Sequence, residues 1–164
     1  MGCDIHLFCE KLVKNIRDKE FWWCCDDFTM NELYEVFEES PQYYHHSIYN
    51  DRDYELFGIL AGVRDQSVRM IHPPKGLPDD VSDYVKSEAD DFGIDGHTHS
   101  WLTAEELFKY DKKYPGTPLH YLVKCVKKKM KEVFNIWDFY SKEDKKRILN
   151  EHANGFRIVF WFDN

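Results

Sequence analysis

The 164-residue chain has no C-x-x-C pair, no G-x-x-x-x-G-K-[ST] or G-x-G-x-x-G phosphate loop and no G-x-S-x-G nucleophile turn. Those absences argue against thiolate zinc ribbons, P-loop or dinucleotide chemistry and serine-hydrolase elbows. Nor does any apolar run approach the roughly 20 residues needed to cross a bilayer, and no basic-then-apolar leader opens the chain. The sequence therefore predicts a cytoplasmic protein with no membrane span. The "MGC" opening resembles an acylation signal, but His6 stands where Ser or Thr is usual, so no lipid anchor is expected. Basic charge is also scarce: 22 Lys and Arg stand against 30 Asp and Glu, a net −8 that opposes bulk nucleic-acid binding. A local basic pocket for a small phosphate ligand stays open. The five cysteines, Cys3, Cys9, Cys24, Cys25 and Cys125, are too few and too irregular for a disulfide framework and read as reduced, mostly buried thiols.

What the chain does have is aromatic bulk, with 12 Phe, 10 Tyr and 5 Trp in a sequence long enough to bury about two-thirds of its unfolded surface. No repeat, low-complexity tract or linker divides it, so 1–164 is read as one domain. In "DIHLFCEKLV", Ile5, Leu7 and Cys9 alternate with Asp4, His6, Phe8 and Glu10, the pattern of a half-buried strand. Residues 15–50 are acidic and aromatic, and read as a second strand followed by a loop-rich insertion. Asp53 to Arg64 predicts a short buried helix carrying Gly58 and Gly62. The prolines of "HPPKGLPDD" force a loop, after which Asp79 can cap a helix to about Asp91, stopped by Gly93. Thr103 and Glu106 form a capping box for a helix over 104–110. Leu119, Leu122, Val123, Val126, Met130 and Val133 have helical spacing, with Lys124, Lys127, Lys128, Lys129 and Lys131 mostly outward. Ser141 caps a last helix, and "GFRIVFWFDN" is a terminal strand. Strands at both ends and helices between them predict an α+β domain: a small antiparallel sheet including the N- and C-terminal strands, packed by several helices.

Two short patterns carry the candidate chemistry. In "DGHTHSWLT", His97 and His99 lie two apart, and on an extended backbone both imidazoles would share one side, as a divalent metal requires. Asp4 and His6 repeat that spacing on the first strand. If the two segments meet, Asp4, His6, His97 and His99 make a ligand set for zinc or manganese, with Asp95 as an orienting or basic carboxylate. The plainer alternative is that these side chains only hydrogen-bond within a polar loop and a solvent-facing strand edge. Arg52 and Arg64, near the buried helix, could grip a phosphate bidentately or simply pair with neighbouring acids. Cys24 and Cys25 have no base beside them in sequence and read as buried thiols.

"MGCDIHLFCE", "RDYELFGILAGVR", "PPKGLPDDVS", "DGHTHSWLT" and "FRIVFWFDN", in that order, resemble a family of small uncharacterised bacteriophage and prophage proteins. The likeness spans most of the chain except Asn15 to Asn50. It implies a viral accessory protein acting in the host cytoplasm, a setting in which small proteins modify nucleotide pools or counter host defence. Two functions follow as expectations. One is metal-dependent hydrolysis of a small, nucleotide-like phosphoester, with the metal generating hydroxide and Arg52 or Arg64 holding the phosphate. The other is a non-catalytic module that sequesters a small nucleotide-like ligand or a host protein, its aromatics stacking on the ligand.

Overall fold

The computed structural model describes residues 2–36 and 40–164. Strand β1 (Asp4–Lys14) is central. Its alternation is realised: Ile5, Leu7 and Cys9 enter the main core, while Phe8 joins a second cluster on the opposite face. The terminal strand β6 (Phe156–Asp163) pairs antiparallel along β1, from Asp4 opposite Asp163 to Lys11 opposite Phe156. Strands β2 (Glu20–Cys24) and β5 (His97–Thr103) complete an antiparallel sheet of order β2-β1-β6-β5. Strands β3 (Asp27–Met30) and β4 (Tyr43–His46) form a separate two-stranded hairpin. The fold is α+β, and the described residues of region 15–50 supply the edge strand β2 and the β3–β4 hairpin.

Five helices accompany the strands among the described residues: α1 (Tyr54–Ala61), α2 (Asp83–Phe92), α3 (Ala104–Lys113), α4 (Leu119–Val133) and α5 (Lys142–Glu151). The Thr103/Glu106 capping box is complete, each side chain bonding the other's backbone N–H. Ser141 accepts from the Asp144 N–H as the cap of α5. In α1, Gly58 leaves room for the Asp65 carbonyl and Val68 to pack against the helix, whereas Gly62, at φ 69°, ends it. Both glycines were expected inside the helix; only Gly58 is.

Two further expectations change. Helix α2 begins at Asp83 with Ser82 at its N-cap, because Asp79 and Asp80 remain in the loop and Asp80 is drawn to Arg157. Lys129 is 4 % exposed rather than outward; its ammonium lies 2.9 Å from Asp27, at the start of the hairpin. On the main face, Phe156, Ile158, Phe160 and Phe162 meet Leu56, Leu60, Leu107, Leu122 and Val126. At about 1.5–3 kcal/mol for each large buried side chain, this face dominates stability. The other face, with Phe8, Val159 and Trp161, is covered by Val85 and Ala89 of α2. No helix among the described residues is long and apolar enough to cross a membrane.

Candidate functional site

The residues singled out in sequence are dispersed into separate interactions. Asp4 and Arg52 form a bidentate ion pair, with Arg52 Nη2 at 2.6 and 2.7 Å from the two carboxylate oxygens and Nε at 2.8 Å. Each thereby satisfies the other, so the guanidinium expected to grip a phosphate holds the expected metal carboxylate instead. Arg64, at φ 63°, ties the chain ends together, donating to Asn164 Oδ1 at 2.6 Å and to the Gly2 carbonyl at 3.4 Å. Asp95 is exposed in a single 3-10 turn ahead of β5. His6 Nε2 sits 3.1 Å from Asp163 Oδ2.

His97 and His99 do not share a side, which corrects the expectation from their spacing. His97 lies opposite Phe162 and Ser100 opposite Phe160, so Thr98 and His99 together face the single residue Trp161. This is a β-bulge, with Thr98 at φ 55°. One extra residue reverses the alternation. His97 stacks toward Phe162 on the main-core face, and His99 stacks on Trp161 at 5.5 Å on the other. His6 also stacks on Trp161, at 6.0 Å. The fold thus brings His6 and His99 to one indole and sends His97 and Asp4 elsewhere. Among the described residues, no group of three or more His, Cys, Asp or Glu side chains is arranged to hold a metal ion. Burial, then the nearby His97, lowers the His99 pKa, so the ring favours its neutral form.

The concave feature with binding character lies at the other end of the sheet. A cleft of about 660 Å³ is lined by Phe21, Trp22, Trp23 and Cys24 of β2, Phe28 of β3, Tyr43 of β4, and the segment Asp80 to Tyr84 that starts α2. Its size is that of a small-molecule site, and aromatic rings dominate its walls. Its floor, formed by Trp22, Asp80 and Ser82, is tied to a buried ion pair behind it. Arg157 Nε donates to Glu10 Oε2 at 2.7 Å, with both side chains essentially inaccessible. Arg157 Nη1 reaches Asp80 Oδ1 at 2.8 Å, and the guanidinium lies 4.0 Å over the Trp22 ring. Trp22 Nε1 donates to the second Asp80 oxygen at 3.1 Å, while Glu10 Oε1 accepts the Ser82 N–H at 2.8 Å. Trp22, Asp80 and the start of α2 are fixed by one network.

The hairpin wall is held by a second buried pair. Asp26, whose side chain is wholly buried, accepts from His45 Nε2 at 2.7 Å and from the Cys9 N–H at 3.0 Å. The His45 ring is stacked on Phe8 at 4.4 Å, and Phe28 meets Tyr84 edge-on at 4.9 Å, which closes the wall against α2. Burial first, and then the Asp26 charge, pushes the Cys25 thiol up to about 12, and the same causes raise Cys9 and Cys24. None of the three is an activated nucleophile.

The cleft residues Trp22, Phe28, Asp80 and Tyr84 were not among the sequence candidates. The dense "FWWCCDDF" was the available signal, but aromatic density alone does not say which rings share a surface. The chain matches no family model, no curated protein and no solved structure.

Proposed function

We propose that this protein is a non-catalytic binding module that captures a small ligand bearing a flat ring of nucleobase size. The observation that carries the reading is the aromatic cleft between β2, the hairpin and α2. A planar ring gains about 1–3 kcal/mol from stacking on one aromatic side chain, and this cleft offers several on a pre-formed floor. Hydrolysis is the weaker reading, because Asp4 and Arg52 occupy each other and His97 and His99 face apart. In the bacteriophage setting that the sequence motifs suggest, capture removes a host small molecule from use without consuming it.

The test is native mass spectrometry of the intact protein with equimolar nucleobases and nucleosides. The expected result is a 1:1 adduct that releases its ligand unchanged on denaturation and is lost in Trp23→Ala, an exposed cleft position. Cleaved products, or an adduct indifferent to Trp23→Ala and Tyr84→Ala alike, would reject the reading.

A further inference from the structure

Polar groups in the cleft constrain the ligand's charge, an inference that rests on the binding reading above. Both Asp80 oxygens are engaged, one by Arg157 and one by Trp22. Asp83, at the first turn of α2, is exposed on the lining, and none of the hydrogen bonds or ion pairs among the described residues engages its carboxylate. Ser82 Oγ is buried on the same lining with no hydrogen-bond partner among the described residues. The lining carries two carboxylates, Asp80 and Asp83, and no lysine or arginine; Asp80 shares the Arg157 guanidinium behind it with Glu10, so the three carboxylates exceed that one cation by two negative charges. The α2 terminus offsets only about half a charge. A phosphate would therefore be repelled, whereas a cation gains twice, from Asp83 and from the aromatic rings of the lining.

We infer that the ligand of this cleft is a cationic planar nitrogen base, its ring set against the aromatic lining and its positive edge turned to Asp83. The net charge of −8 favours the same class of ligand at longer range.

The experiment titrates three purine-sized probes into the full chain by calorimetry at pH 7.5 and low salt: N-methylquinolinium (cation), quinoline (neutral) and 2-naphthoate (anion). The cation is expected to bind roughly tenfold tighter than quinoline, with 2-naphthoate weakest. Asp83→Asn, an exposed change, should bring the cation to within about twofold of quinoline and leave quinoline unaltered. Raising the salt should weaken the cation selectively. Equal affinities for the three probes, or a cation preference that survives Asp83→Asn, would overturn the charge assignment while leaving the aromatic cleft a binding site. No detectable binding of any probe would overturn the binding reading and this inference with it.

Discussion

Removing one member of the Glu10–Arg157 pair should be among the most damaging single changes available in this protein. The pair joins β1 to β6, Glu10 and Arg157 are 0 % and 2 % exposed, and each has further partners in Ser82 and Asp80. Arg157→Met leaves Glu10 charged and buried with only the Ser82 N–H, and Glu10→Met leaves the guanidinium with Asp80 and two tryptophan faces. Breaking a buried pair in this way costs about 3–5 kcal/mol. For a chain of this length that lowers Tm by roughly 6–20 °C. The double variant Glu10→Met/Arg157→Met removes both charges together. Its residual cost is the unsatisfied Ser82 N–H and the lost stacking, about 1–3 kcal/mol. The double variant is therefore expected to be more stable than either single one, a strongly non-additive cycle. Urea titration with the slope held constant across variants measures it. Single variants that cost under about 1 kcal/mol, or effects that simply add, would refute the view that a desolvated ion pair anchors the cleft floor.

Other expectations follow from the same geometry. Gly58→Ala gains helix propensity of about 1 kcal/mol, yet its new methyl meets the Asp65 carbonyl and Val68; the clash should win by on the order of 1–3 kcal/mol, read as a lower urea midpoint, and a stabilised variant would contradict it. With the Cys25 pKa pushed up to about 12 from an ordinary 9.0, the thiolate fraction at pH 8 falls about a thousandfold. Iodoacetamide should accordingly label Cys25 slowly in the native protein, faster as pH rises toward 12 and promptly once the chain is unfolded, with peptide mass spectrometry as the readout. Rapid native labelling at pH 8 would show that the half-buried Cys25 thiol is not held protonated beside Asp26. The His97→Ala/His99→Ala double variant should carry the same metal content as wild type, because its imidazoles lie on opposite sides of the bulge; near-stoichiometric metal lost in the variant would reverse that reading.

Local pattern alone determined much of this architecture. The alternation of β1, the terminal strand, the Thr103/Glu106 box, the Ser141 cap and the apolar stripe of α4 are read within a few residues, where backbone period and capping chemistry decide the outcome. The pairing of the two chain ends also followed, since end strands separated by helices have few other ways to bury their apolar faces. The candidate site was far less legible. His-x-His promises one shared face only on a regular strand, and nothing in "GHTHS" announces a bulge, since the left-handed residue is a β-branched Thr98 rather than a glycine. Arg52 looked available because its partner, Asp4, lies 48 residues away, and Lys129 looked solvated because Asp27 arrives from the hairpin. The cleft likewise joins β2, β3, β4 and the start of α2, and its floor depends on Glu10 and Arg157 meeting across 147 residues. Periodicity records which side of an element is apolar; only the tertiary structure decides which charges neutralise one another and which rings are left facing open space.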